Sequence, residues 1–356
     1  MTASRSFLGW QMVGVAFVAQ FLASGAMLSA FSNFVMPVSE TFEVSRGTVV
    51  LGVPMAIGAI GLLGPFIGRM LDRGHARRLM TIGALLSSAG LILISRAESL
   101  PVVAFLYGGC VCLGAALFGP MPSMTLVASW FIRRRGLALG LTFAGATLVS
   151  YLGPVSAEYW IETQGWRAAV SYFGAIVALV GVPTFWLFTI GRPEEVGQLP
   201  DGERPDSEPV ASIGSLSAGE LARDPRLWLL AVGFGLILTS PIVLLTLLVP
   251  FAKDELGFSG QQANLFFLAM MPFSLMGKIV IGALADIMPP KPAIALIVVM
   301  NVALWLIFYS EPSLSLYLAA GVIYGIGIGG AAPLQGVIVG RCFGRANFGM
   351  ANGLGG

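Results

Sequence analysis

The chain has 356 residues, 56% of them hydrophobic and only 11% charged, with 46 glycines and a formal net charge of +2. Its mean hydropathy is +0.85. Soluble domains carry about 25% charged residues, so a water-soluble enzyme or a nucleic-acid-binding module is excluded and a chain embedded in a lipid bilayer is indicated.

Crossing the hydrocarbon core takes about 20 predominantly apolar residues. Uncharged stretches run over 6–39, 47–68, 79–95, 99–132, 136–157, 168–191, 227–252, 256–277, 292–310 and 312–340. They predict an all-α membrane protein of about ten full helices, six before the one long polar segment and four after it. The first stretch follows Arg5 as a signal peptide would, yet it is too long for a cleaved hydrophobic region; it reads as the first spanning helix. In that helix Gly25, Ser29 and Ser32 form one stripe, with Asn33 beside it. Thr125, Tyr151, Thr246 and Gln335 are polar residues in later spans. Each serves either an interhelical hydrogen bond or a ligand contact.

The segment from Gly191 to Pro225 is rich in Pro, Glu, Asp and Ser. It predicts a linker over 191–226, between a bundle at 1–190 and a second at 227–356. We expect it to be partly disordered, with a short helix near Ser217 to Ala222 opened by a Ser-x-x-Glu cap. It reads as a solvated tether, with a regulatory role as the alternative. With the N-terminus cytoplasmic, fifteen basic residues fall in inside loops and four (Arg46, Arg96, Arg167, Lys253) in outside ones. The positive-inside rule therefore predicts that orientation in the cell's inner (plasma) membrane. Cys110, Cys112 and Cys342 lack metal-ligand spacing, and His75 is the lone histidine, so no cofactor is expected.

The landmarks recur. Pro37 pairs with Pro250, Ser45 with Ser259, Gly68 with Gly282, Asp72 with Asp286, Gly114 with Gly327, Pro120 with Pro333 and Gly136 with Gly349, each 213 or 214 positions apart. A period that long marks two copies of one large unit, and duplicated blocks of membrane helices are transporter architecture. The second copy reaches only the start of the fifth helix, at Asn347 to Gly356. A truncated sequence is the expectation, with a ten-helix protein as the alternative.

Lys278 is the one ionisable residue well inside a span, eight residues before Asp286, or about 12 Å along a helix. A central lysine costs about 2.5–3.5 kcal/mol on insertion scales. Ser274, Lys278 and Gly282 recur every four residues and share a face, which Gly282 turns toward the bundle. A cation so placed is either paired structurally or faces an anionic ligand.

The sequence GRMLDRGHARR, with Gly68, Asp72, Arg73, Gly74, Arg77 and Arg78, resembles the Gly-x-x-x-Asp-Arg-x-Gly-x-Arg-Arg loop of the major facilitator superfamily. Its weakened second copy runs from Gly282 to Asp286. WFIRRRGLALGLTFAG (130–145), GWRAA (165–169) and PEEVGQLPDG (193–202) resemble the monocarboxylate transporter branch, near the bacterial oxalate:formate antiporters. The resemblance implies two pseudo-symmetric six-helix bundles, the second incomplete here. It implies that Asp72 faces the helix beginning near Phe348 and Asp286 the helix beginning near Gly136. Together with Gly68, Arg73, Arg77, Arg78 and Gly282 they would form a conformational gate that breaks as the halves rock apart.

In that branch a basic residue, usually arginine, stands four residues before the repeated glycine and pairs with the substrate carboxylate; Lys278 falls on that position. The implied function is secondary transport of a small organic anion, with Lys278, Ser274, Ser29, Asn33, Tyr151 and Gln335 as candidate contacts and a coupling proton or counter-anion as a further partner. Animal members carry an aspartate where Ser274 stands and a lysine that aligns with Ser29, so their proton-symport mechanism is in doubt here. The second lysine of the oxalate exchangers lies in an eleventh helix that this sequence only begins. Efflux of hydrophobic compounds and a non-transporting membrane sensor or remnant are the alternatives.

Overall fold

A computed structural model of the chain describes residues 7–25, 31–50, 52–202 and 214–355, and the regular structure in them is all helical. The helices are α1 (Gly9–Ser24), α2 (Phe31–Thr41), α3 (Arg46–Val50), α4 (Gly52–Asp72), α5 (Ala76–Ile94), α6 (Leu100–Trp130), α7 (Arg135–Gln164), α8 (Trp166–Phe188), α9 (Ala218–Arg223), α10 (Pro225–Asp254), α11 (Gly260–Ile287), α12 (Pro290–Tyr309), α13 (Leu314–Phe343) and α14 (Phe348–Gly355). Among the described residues α5, α6, α7, α8, α11, α12 and α13 are long and apolar enough to cross a membrane. Large apolar side chains such as Phe66, Phe105, Leu179, Leu229, Leu268 and Leu306 point outward. Such a surface suits lipid, where each backbone amide must bond within its own helix.

Local chemistry sets the ends and breaks. Gly119 leaves helical geometry (φ −77°, ψ −134°) just before Pro120, whose ring nitrogen cannot donate to the preceding turn; α6 is broken there. It also carries a π-helical stretch at Tyr107–Cys112, as α8 does at Val177–Gly181. Gly165, at φ +84°, ends α7 in a conformation that suits glycine. Capping boxes open α9, through Ser217 and Glu220, and α11, through Ser259 and Gln262.

In lipid, helices gain little from burying apolar surface against each other, so close contact relies on small residues. Along α11 and α13 a Cβ on Gly277, Gly325 or Gly329 would fall on the carbonyl oxygen of Ile326, Met270 or Ser274. On α7, Gly145 is pressed in the same way against the Phe17 carbonyl of α1. The described part of the first uncharged stretch is two helices, α1 and α2; Ser29 lies outside the described residues, and so does the side chain of Thr246.

Residues 191–202 pack as an ordered strap. It makes 3-10 turns at Pro193–Val196 and Pro200–Gly202, where the sequence alone read a solvated tether. Its first carbonyl, of Gly191, accepts a hydrogen bond from the Ser129 hydroxyl at 2.8 Å.

Candidate functional site

Two carboxylates sit on two helix beginnings. Asp286, at the end of α11, accepts hydrogen bonds from the backbone N–H groups of Gly136 (2.6 Å) and Leu137 (3.0 Å) in the first turn of α7. Asp72, at the end of α4, accepts them from Gly349 (2.7 Å) and Met350 (2.8 Å) in the first turn of α14. The first N–H groups of a helix have no intrahelical partner, and the macrodipole there favours negative charge. Each bond is therefore charge-assisted, and the guanidiniums of Arg192 near Asp72 and of Arg341 and Arg135 near Asp286 favour the negative charge further.

Glycines bring the backbones close enough. A Cβ on Gly68 would fall on the carbonyl oxygen of Gly349, and one on Gly64 would lie 2.6 Å from that of Gly353. Across the pseudo-symmetric contact, Gly136 meets the carbonyl of Gly282, and Gly140 meets that of Lys278. Lys278 thus stands one repeat after Gly64, so one crossing is glycine at all four positions and the other carries an ammonium at one of them.

The backbone of Lys278 is locked against Gly140, and its Nζ reaches the Ser274 hydroxyl at 3.5 Å. Among the described residues no carboxylate pairs with it. Ser274 is fixed in turn, because its carbonyl backs onto Gly329 of α13. Gln335 lies at the same depth, since its neighbour Gly336 faces Leu139 and Met124.

The other candidates lie elsewhere. Asn33 donates to the carbonyl of Pro154 at 3.5 Å, and Tyr151 is one turn earlier on α7. From Gly140 to Tyr151 is about 16 Å at the helical rise, so the backbones of Tyr151 and of Pro154, which Asn33 meets, lie well along α7 from the Lys278 contact. Thr125 bonds within its own helix, to Met121 at 2.9 Å. Of the arginines of the α4–α5 loop, Arg77 donates to the carbonyl of Thr189 at 2.8 Å, and Asp72's own carbonyl accepts from Arg192 of the strap.

Several polar groups escaped the sequence reading. Arg135, counted there only as a loop charge, is 4% exposed. It donates to the carbonyls of Ala128 (3.1 Å) and Phe131 (3.0 Å), and it lies over the Phe348 ring at 5.6 Å. Ser240, Asn301 and Tyr324 form a network inside the second copy. Gln20 is 1% exposed on α1, and neither end of its amide has a partner among the described residues. The visible signal for Asn301 is a single amide inside an otherwise apolar span, and for Gln20 an amide in the middle of an apolar run.

A duplicated set of membrane helices, with carboxylates bridging its halves at mirrored helix starts, defines a polytopic transporter-type protein rather than an enzyme. The chain belongs to the Major Facilitator Superfamily, whose family model matches residues 13–356. It is 28% identical over 210 residues to monocarboxylate transporter 14 of Mus musculus, a match covering 59% of this chain and 40% of that one. It therefore spans well under two thirds of that relative's length. The MFS-type transporter pytF of Aspergillus terreus is 28% identical over 290 residues, covering 79% of this chain and 90% of its own. Among solved structures, the proton:xylose symporter XylE matches in fold with a TM-score of 0.64 at 14% identity, over 98% of this chain and 85% of that one.

Proposed function

We propose that the protein is a secondary transporter that carries small organic anions across the membrane by alternating access, with Lys278 binding the substrate carboxylate. The observation that carries this reading is an ammonium inside α11, eight residues before Asp286, with a serine hydroxyl as its described side-chain partner. Holding a half-buried cation inside an apolar span without a counter-charge is costly, and an incoming carboxylate would offset that cost. Lysine makes this a point-charge contact rather than a bidentate fork. Ser274 and Gln335 add polar groups at the same depth.

In this reading Asp72 and Asp286 are the gate. Their bonds hold the arginine-bearing face closed and break when the bundles, 1–190 and 227–356, rock apart. Fifteen basic residues on that side favour its being cytoplasmic, in the cell's inner membrane. A coupling proton or counter-anion completes the cycle. Efflux of a hydrophobic compound is the second reading, favoured by a cavity of about 350 Å³ lined almost wholly by apolar side chains, Phe31, Phe34, Leu91 and Phe173 among them.

Uptake of labelled lactate, pyruvate, formate and oxalate into proteoliposomes separates the two. Saturable uptake that disappears in Lys278→Ala supports anion transport. Intact protein that takes up no carboxylate sinks that reading and leaves efflux.

A further inference from the structure

The two carboxylate contacts bear on two loops, residues 131–134 before α7 and 344–347 before α14. The linker holds both of them. At its leading end, Asp201 accepts hydrogen bonds from three consecutive backbone N–H groups, those of Ile132 (2.9 Å), Arg133 (2.9 Å) and Arg134 (3.4 Å). The next free amides of that same turn, Gly136 and Leu137, receive Asp286. Asp201 does this from φ +58°, a left-handed conformation that costs a non-glycine residue about 1 kcal/mol or more and persists only where surrounding contacts fix it.

The strap is seated at further points. The Gln198 side-chain oxygen accepts from the Leu8 N–H at 3.0 Å, and Glu194 pairs with Arg345 of the other loop. Arg345 also donates to the Ser129 carbonyl at 3.3 Å. At the linker's trailing end, Asn347, 1% exposed, accepts from the Leu216 N–H at 2.7 Å and donates to the Gly214 carbonyl at 2.9 Å. Two residues later, Gly349 receives Asp72.

We propose that the linker is a two-ended clasp. Asp201 at one end and the Gly214–Leu216 backbone at the other fix the loops that present amides to Asp286 and Asp72, and so hold the arginine-bearing face shut. A helix start with frayed amides is a poor donor site for a carboxylate. Asp201 and Asn347 remove that freedom one turn before each contact. Because the strap at 191–202 meets both loops, through Asp201 on the first and through the Glu194–Arg345 pair on the second, whatever lifts it weakens both contacts together, which makes it the control point for this face. The inference rests on the gate assigned above to Asp72 and Asp286.

The test measures distance, not transport. Spin labels replace Arg78 and Lys291, equivalent exposed positions in the two copies, and pulsed EPR reads their separation in liposomes. Asp201→Asn keeps the shape and halves the accepting capacity; Asp201→Gly removes the carboxylate yet suits the backbone at φ +58°, so a fold defect cannot explain a shared result. Asp286→Asn is the gate control, and Glu195→Gln a charge control. The clasp predicts that both Asp201 variants raise the population of the longer distance about tenfold, the size expected from losing charge-assisted bonds, as Asp286→Asn does, while Glu195→Gln leaves it as in the parent. A shift in Asp286→Asn with none in the Asp201 variants overturns the clasp alone. No shift in any variant overturns the gate, and the clasp with it.

Discussion

Replacing Gly68 by alanine adds one methyl group where two helix backbones already touch. The new Cβ would fall on the Gly349 carbonyl oxygen, 2.5 Å from its carbon and 2.9 Å from the Met350 nitrogen. These are main-chain atoms of α14 and cannot rotate away, so α4 and α14 must separate by about 1 Å to restore van der Waals contact. That movement stretches the Asp72 bonds, now 2.7 and 2.8 Å, beyond ordinary hydrogen-bond length. Overpacking of this kind costs about 1–3 kcal/mol. Alanine also favours the helix by about 1 kcal/mol, but it does so whether the face is open or shut and cancels from the ratio.

The closed-to-open ratio should therefore fall by about five- to 150-fold, since 1.4 kcal/mol is a factor of ten. Gly136→Ala, whose Cβ would meet the Gly282 carbonyl, should act alike on the mirrored contact. Gly58→Ala in the same α4 helix is the control, because its Cβ would meet nothing within 4 Å. Alkylation of a cysteine placed at the buried Leu139 reports opening of the face. Equal rates in Gly68→Ala and Gly58→Ala would refute the argument that glycine contact sets this equilibrium.

Asp72→Asn and Asp286→Asn should open the face to similar extents, because each loses charge from two short amide bonds; alkylation of the same cysteine checks it, and a strong effect from one alone would contradict the pseudo-symmetry. Ser240→Ala should lower the melting temperature by stranding the Tyr324 hydroxyl and the Asn301 amide oxygen, a loss of about 1–3 kcal/mol, measured by thermal unfolding in detergent. Hydrogen bonds from the Ser217 backbone and hydroxyl hold the Glu220 carboxyl below its usual range. The cap of α9 is therefore fully stabilising above the ordinary glutamate pKa and is lost as pH falls through the lowered value. Protection of the Leu221 to Arg223 amides, taken relative to the intrinsic exchange rate at each pH, should fall in acid, and Glu220→Gln should flatten that dependence.

Much of this arrangement is legible in the chain, for a physical reason. Gly68 and Gly282, and Gly136 and Gly349, recur at an offset of 213 or 214 because each stands where backbones meet, and no side chain can substitute without moving a helix. Asp72 and Asp286 recur because a helix start requires an acceptor of that charge at that place. Lys278 stood out because a cation within an apolar span has few cheap explanations. What was not legible has no comparable signal. Asp201 lies in a run of Pro, Glu and Asp that composition marks as solvated, and its partners are backbone amides, which every residue carries. The π-helical stretches of α6 and α8 depend on packing rather than on a residue type. How far Asn33 and Tyr151 stand from the Lys278 contact depends on the helix crossings, because Lys278 meets α7 at Gly140, 11 positions before Tyr151.

Equilibrium binding of a labelled carboxylate to the reconstituted protein addresses the role of Lys278 most directly, because it needs neither turnover nor a gradient. The account predicts saturable binding that unlabelled carboxylates compete away, that weakens at least tenfold in Lys278→Gln and that survives, with reduced affinity, in Ser274→Ala. Equal affinity in Lys278→Gln and the parent protein would contradict it and leave Lys278 a structural residue of α11.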